Sequence, residues 1–381
     1  MMRATPPTWL DGYASSEYQW QRQSSEKGTK YVRRLGIVES LFDTDGTHYE
    51  GRADLSVDLH IEMRTSSTEA ELREHIARAW SVMRQKHILL SARAVTRDGT
   101  DILCNGTGYR AFEFNQAESV DELRRQGSEH IDFVADHYEQ VDGNDFYQHL
   151  MNSSRVIDPD KALARVFVLP FKHSSSTTFT VNLMFVLGHQ ITDGITVFRW
   201  ASSFIELLNK SQAELEALAT KLCTQSAADR LPPPQEALYH PIDGNIARQR
   251  WFWAITRILR HKKHITSAAF QNPLHRAGPP VPSKAFPPTY SRLLRYDKVP
   301  PLNNYAIKPV LSSRSTRRLM HLCRQSKISF GSGLFTLVAT VMMQFYEQAE
   351  PNTAPENRLP FIGSFVSLPR PTNSSSTDAS H

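Results

Sequence analysis

Residues 189–194, His-Gln-Ile-Thr-Asp-Gly, hold the side chains in this sequence best suited to proton-transfer chemistry. Histidine titrates near neutral pH and serves as a general base without extensive tuning. A hydroxyl or amine that keeps its proton is a poor nucleophile and needs such a base within hydrogen-bond reach. No G-x-S-x-G elbow accompanies His189, so no activated serine nucleophile is implied. Asp193 and Gly194 complete the motif: the aspartate can cap a following helix, and the glycine leaves room beside the turn. The alternative for His189 is a satisfied core histidine.

The flanking residues decide how that imidazole is presented. Phe179, Val181, Leu183, Phe185 and Leu187 alternate with mixed residues and predict a strand. Ile195, Phe198, Ala201, Phe204, Ile205 and Leu208 recur at helical steps and predict an amphipathic helix with that set as its apolar face. His189 therefore leaves the end of a buried strand, and Asp193-Gly194 opens a helix. Leu163–Phe171 predicts a strand forming an antiparallel hairpin with the organising strand. Upstream, Asp54–Met63 alternates cleanly and predicts a half-exposed strand. A helix over 68–86 follows, capped by Ser67 or Thr68 and striped by Leu72, Ile76, Trp80 and Met83.

The spacing H-x-x-x-D-G between strand and helix resembles the active-site motif of the chloramphenicol acetyltransferase-like superfamily. That superfamily includes acyl-CoA-dependent O-acyltransferases of plants and fungi, trichothecene acetyltransferases and condensation domains. Two further stretches add to the resemblance. The order strand, helix, basic turn Arg84–Leu90 and strand is similar to the superfamily's opening, although Arg84 and His87 are not adjacent as in condensation domains. His87 reads as a turn histidine. Phe361–Arg370 resembles the Ile-Gly-x-Phe-Val-Asn-Thr strand of condensation domains, with Ser367 where asparagine is usual. The Asp-Phe-Gly-Trp-Gly motif of plant-type members is absent.

The resemblance implies an α/β fold of two chloramphenicol acetyltransferase-like subdomains of mixed sheet plus helices, the second incomplete. The boundaries that go with it are 1–210 for the first subdomain, 211–305 for a crossover linker with a basic helix, 306–370 for a partial second subdomain and 371–381 for a disordered tail. It also implies that Asp193 points away from substrate and pairs with an arginine; Arg370 is the first candidate and Arg93 the second. The implied activity is transfer of an acyl group, acetyl by preference, from acyl-CoA to a hydroxyl of a small secondary metabolite, as in fungal members, with His189 deprotonating the acceptor directly in a ternary complex and no covalent acyl-enzyme. The competing readings are a condensation-like enzyme fed by a carrier protein and a non-catalytic remnant. No residue shows itself as the oxyanion donor or as a coenzyme A contact.

Composition narrows the classes further. The formal net charge of +5 over 381 residues reads as spread along the chain. It suits a polyanionic co-substrate such as acyl-CoA, and no dense basic stripe or nucleic-acid motif points to DNA or RNA. Cys104, Cys223 and Cys323 are widely spaced and odd in number, which argues against a disulfide framework or a zinc site. No apolar run is long enough to span a bilayer and no signal-peptide core is present, so a cytoplasmic protein without bound metal or permanent cofactor is expected. Residues 1–30 read as a loose lead-in that Trp9, Tyr13 and Trp20 can pin. Ile246–Ile265 reads as a basic amphipathic helix of two possible uses: packing Trp251, Ile255, Ile258 and Leu259 inward, or lying on a membrane or an acidic partner.

Overall fold

A computed structural model of the chain describes residues 18–25, 28–101, 106–175, 177–238, 244–264, 278, 282–300, 303–306 and 310–354. The chain divides into two compact units, residues 1–238 with 282–306, and residues 239–281 with 307–381. It is an α/β protein.

The first unit holds two sheets. One has the order β1 (Gln21–Ser25), β2 (Gly28–Arg34), β5 (Gly106–Asn115), β4 (Arg93–Asp101), all antiparallel. The other has the order β3 (Leu55–Arg64), β9 (Thr178–Leu187), β7 (Ala164–Val168), β6 (Ile131–Phe133); β8 (Lys172–Ser175) also pairs with β9. β9 is antiparallel to β3 and β7, and the β6–β7 pair is parallel. The predicted hairpin is thus formed, with β8 in its connection. Within the stretch read as a loose lead-in, the described residues 21–25 and 28–30 are strand, in β1 and β2. Trp20 does act as a pin: its indole N–H donates to the Pro232 carbonyl at 2.7 Å.

Among the described residues, six α-helices pack with these sheets: α1 (Ile37–His48), α2 (Glu69–Lys86), α3 (Val120–Ser128), α4 (Gly143–Asn152), α5 (Gly194–Leu208) and α6 (Gln212–Thr224). Thr68 caps α2 in a reciprocal box with Glu71, and Leu72, Ile76, Trp80 and Met83 are buried as the stripe predicts. The apolar face of α5 differs from the predicted one. Val197, Trp200, Phe204 and Leu207 are buried, while Ile195, Phe198 and Ile205 are 53%, 74% and 38% exposed. The helix is apolar on two sides, so periodicity alone does not set which stripe meets the sheet. α6 lies inside the stretch read as a linker, yet Leu215, Ala219 and Leu222 join the main core.

The second unit contains α7 (Ile246–His264), α8 (Ser313–Gln325) and α9 (Phe330–Ala349). Ser312 caps α8 through the Ser315 amide and Ser329 caps α9 through the Ser332 amide, each at 3.1 Å. Among the described residues no single helix is long and apolar enough to cross a membrane.

Candidate active site

His189 emerges where β9 ends, in the middle of its sheet: Leu187 is in register with Leu55 on one side and Ala164 on the other. The Gly188 amide donates to the Leu163 carbonyl at 2.9 Å, and the chain then turns, with Ile191 N–H on the Gly188 carbonyl at 3.1 Å. A Cβ on Gly188 would lie 2.6 Å from Oε1 of the buried Gln190, so a side chain there would have to displace that amide. His189 itself is half-buried, while Ile191 and Thr192 are buried.

α1 clamps this turn twice. The Phe42 ring stacks on the His189 imidazole with centroids 3.8 Å apart and planes within 2°. The next residue, Asp43, accepts from Gln190 Nε2 at 3.2 Å. Asp43 is held in turn by Arg110, whose Nε donates to Oδ2 at 2.8 Å, and Arg110 also reaches Asp160 at 3.0 Å. α1 is anchored at its start by Glu39, which accepts from the Gly36 amide at 2.6 Å and from both guanidinium nitrogens of buried Arg33 at 2.8 and 2.9 Å. Sequence reasoning missed α1. Its buried residues are Glu39, Asp43 and Gly46, so it carries no apolar stripe, and Asp45-Gly46 imitates a turn. The signal that could have found it is Glu39 three residues after Gly36, a reach-back to an N-cap amide.

A second buried pair lies behind α1. Arg155 donates to both oxygens of Asp54, Nε at 2.8 Å and Nη2 at 2.9 Å. Gly46 and Gly51 make room for it: a Cβ on Gly46 would sit 2.4 Å from the guanidinium, and Gly51 has φ of +71°. Burial pushes the Asp54 carboxyl up, against the pull of Arg155 and, more weakly, the charge of His189. Asp43, Arg110 and Arg155 line a polar cleft of about 490 Å³ that also includes His48, Arg295 and Lys298; His189 is not in its lining. Most of the cleft's charges are neutralised locally, Lys298 by Glu50 at 3.1 Å.

The remaining predicted site residues separate. Asp193 is the N-cap of α5, its Oδ1 accepting from the Thr196 amide at 2.7 Å. Among the described residues it joins no ion pair. Gly194 opens the helix, and a Cβ there would meet nothing within 4 Å, so no neighbour in the first unit requires a glycine. Arg93 belongs to β4 and is paired with Glu113, to which Arg97 also donates at 2.8 Å. Against the upward push of burial, the hydrogen bonds of Arg93 and Arg97 and the charges of Arg93 and Lys30 hold Glu113 down at about 2. The Arg93 guanidinium thus serves its own sheet and is not the partner sought for Asp193. Arg370, with the whole of Phe361–Arg370, lies outside the described residues. His87 ends α2, its Nε2 3.3 Å from Ser203 Oγ; burial, with the Lys86 charge, lowers it to about 4.

The imidazole carries one unresolved demand. Among the described residues no hydrogen-bond partner reaches the buried Nδ1 of His189 or Gln190 Oε1 beside it. A base acting through Nε2 must carry its proton on Nδ1, and a buried N–H without an acceptor is costly.

No family model matches the chain, and no curated protein matches it. Solved structures do. A trichothecene 15-O-acetyltransferase, TRI3, from Fusarium sporotrichioides is similar over 64% of this chain and 48% of its own, with 14% identity and a TM-score of 0.41. This chain thus spans about half the length of that protein. A chloramphenicol acetyltransferase is similar over 47% of this chain and 98% of its own, with 10% identity and a TM-score of 0.28. TRI101 of F. sporotrichioides, solved with coenzyme A and T-2, is similar over 49% of this chain and 44% of its own, with 9% identity and a TM-score of 0.26.

Proposed function

We propose that this chain transfers an acyl group from acyl-CoA to a hydroxyl of a small molecule, with His189 as the general base. The observation that carries the reading is the presentation of one half-buried imidazole at the end of a central strand, on a turn that α1 grips through Phe42 and Asp43. A rigid turn of this kind aims a base with little loss of orientation. In the reaction, the acceptor hydroxyl gives its proton to Nε2 as its oxygen attacks the thioester carbonyl. The C–S bond then breaks, and the coenzyme A thiolate recovers the proton from the imidazolium. The face of Phe42 favours the charged ring formed midway. Asp193 acts through the backbone, fixing where the turn ends and α5 begins. A coenzyme A thioester suits the base-only arrangement, since the ternary mechanism stores nothing on the protein.

The experiment is acceptor-dependent release of free coenzyme A thiol from acetyl-CoA across a panel of small alcohols, with intact-protein mass measured in parallel. Thiol release that needs the alcohol, with the protein mass unchanged, is expected. Stoichiometric acylation of the protein before alcohol is added would overturn the ternary mechanism. Absence of release with every donor and acceptor would overturn the function.

A further inference from the structure

The described surface of α7 carries an apolar face that nothing in the sequence pattern required to stay open. Trp251, Ile255, Ile258 and Leu259 follow one another at i, i+4, i+7 and i+8, one side of a helix. They are 67%, 37%, 59% and 50% exposed. The reading of α7 as a connecting helix that packs these residues inward is therefore corrected. Arg248 and Arg250, near its N-terminus, are exposed as well, and the Asn245 side chain caps the helix through the Arg248 amide at 3.0 Å.

Charge distinguishes this helix from an ordinary uncovered face. α7 holds six Arg and Lys and no Asp or Glu. In the same unit, α8 holds four Arg, all exposed, and again no carboxylate, with Met320 and Leu322 exposed beside them. These two helices therefore contribute +10 against a net +5 for the whole chain, leaving the other residues at −5. The basic surplus is not spread along the sequence, as composition alone suggests, but is gathered on two helices that also expose apolar side chains. A duplex phosphate backbone would satisfy the arginines and leave Trp251, Ile255, Ile258 and Leu259 in water. A bilayer carrying anionic phospholipid satisfies both: the apolar face enters the headgroup boundary and the basic residues meet lipid phosphates and carboxylates.

We infer that α7 is an interfacial helix that docks this protein on membranes rich in anionic phospholipid. The test is flotation of the full chain with vesicles of phosphatidylcholine containing about 30% phosphatidylserine, against vesicles of phosphatidylcholine alone. Binding to the first and not the second is expected, released as salt rises from about 0.1 M to about 1 M. Arg248→Gln and Arg250→Gln should each weaken binding about fivefold. Ile255→Asp with Ile258→Asp should abolish it at every lipid composition, with helicity by circular dichroism retained. Equal binding to both vesicle types, or none to either, overturns the proposal. So does a dimer in solution that Ile258→Asp dissolves, because the face would then belong to a second copy. Equally tight binding of a short DNA duplex by wild type and by the double aspartate variant also overturns it.

Discussion

Asp193 offers the sharpest separation between a local role and a longer-range one. Its carboxylate accepts from the Thr196 amide, Oδ1 to N at 2.7 Å, at the first turn of α5. Removing an N-cap acceptor costs about 1 kcal/mol, and removing a negative charge from a helix N-terminus costs roughly 0.3–1 kcal/mol more. Asp193→Ala loses both and should destabilise by roughly 1.5–2 kcal/mol. Asp193→Asn keeps the acceptor and loses only the charge. For a unit of this size 1 kcal/mol moves the melting temperature by about 2–4 °C, so alanine should lower it by roughly 3–8 °C and asparagine by roughly 1–3 °C. Amide exchange at Thr196, followed by NMR or mass spectrometry, reads the cap itself: protection should fall in the alanine variant and persist in the asparagine one. If asparagine costs as much as alanine, the carboxylate charge has a partner that capping does not include, and a purely local role for Asp193 is refuted.

Other perturbations reach the rest of the site. Phe42→Ala removes the ring stacked on His189 and should lower kcat more than it raises KM, with Phe42→Tyr close to wild type; an unchanged kcat would show that the stack positions nothing. Gly194→Ala meets no atom within 4 Å, so stability should hold or rise slightly, and a loss of activity without a loss of stability would mark a ligand passing that point. His130, lowered to about 3 by burial and by the charges of Arg84 and Arg165, must be charged as the chain unfolds in acid. A histidine held below its ordinary 6.5 contributes stability present above that value and lost as pH falls from 6.5 toward 3. His130→Asn should therefore flatten the fall of the urea midpoint across that window, and an identical profile in both proteins would contradict the assignment.

How much could be seen beforehand follows from what each residue was doing. β3, β9 and α2 were legible because one face of each is apolar at a clear period, and Thr68 and Glu71 mark the start of α2. The strand–turn–helix around His189 was legible for the same reason. The phase of α5 was not, because Ile195, Phe198 and Ile205 form a second apolar stripe as regular as the buried one. α1 was invisible because what it buries is polar: Glu39 under Arg33, Asp43 under Arg110 and Gln190. Arg33 stands only six residues before Glu39, but Arg110 and Gln190 come from β5 and the β9 turn, far from Asp43 in sequence, so only three-dimensional proximity reveals them. The clamp on the imidazole was therefore hidden even though the imidazole was not.

The most direct measurement compares wild type with His189→Ala in alcohol-dependent release of coenzyme A thiol, after both have been shown to melt at the same temperature. With His189 as the base, kcat/KM should fall by about a hundredfold or more, the scale of losing a general base. A variant that releases thiol at the wild-type rate would contradict that role.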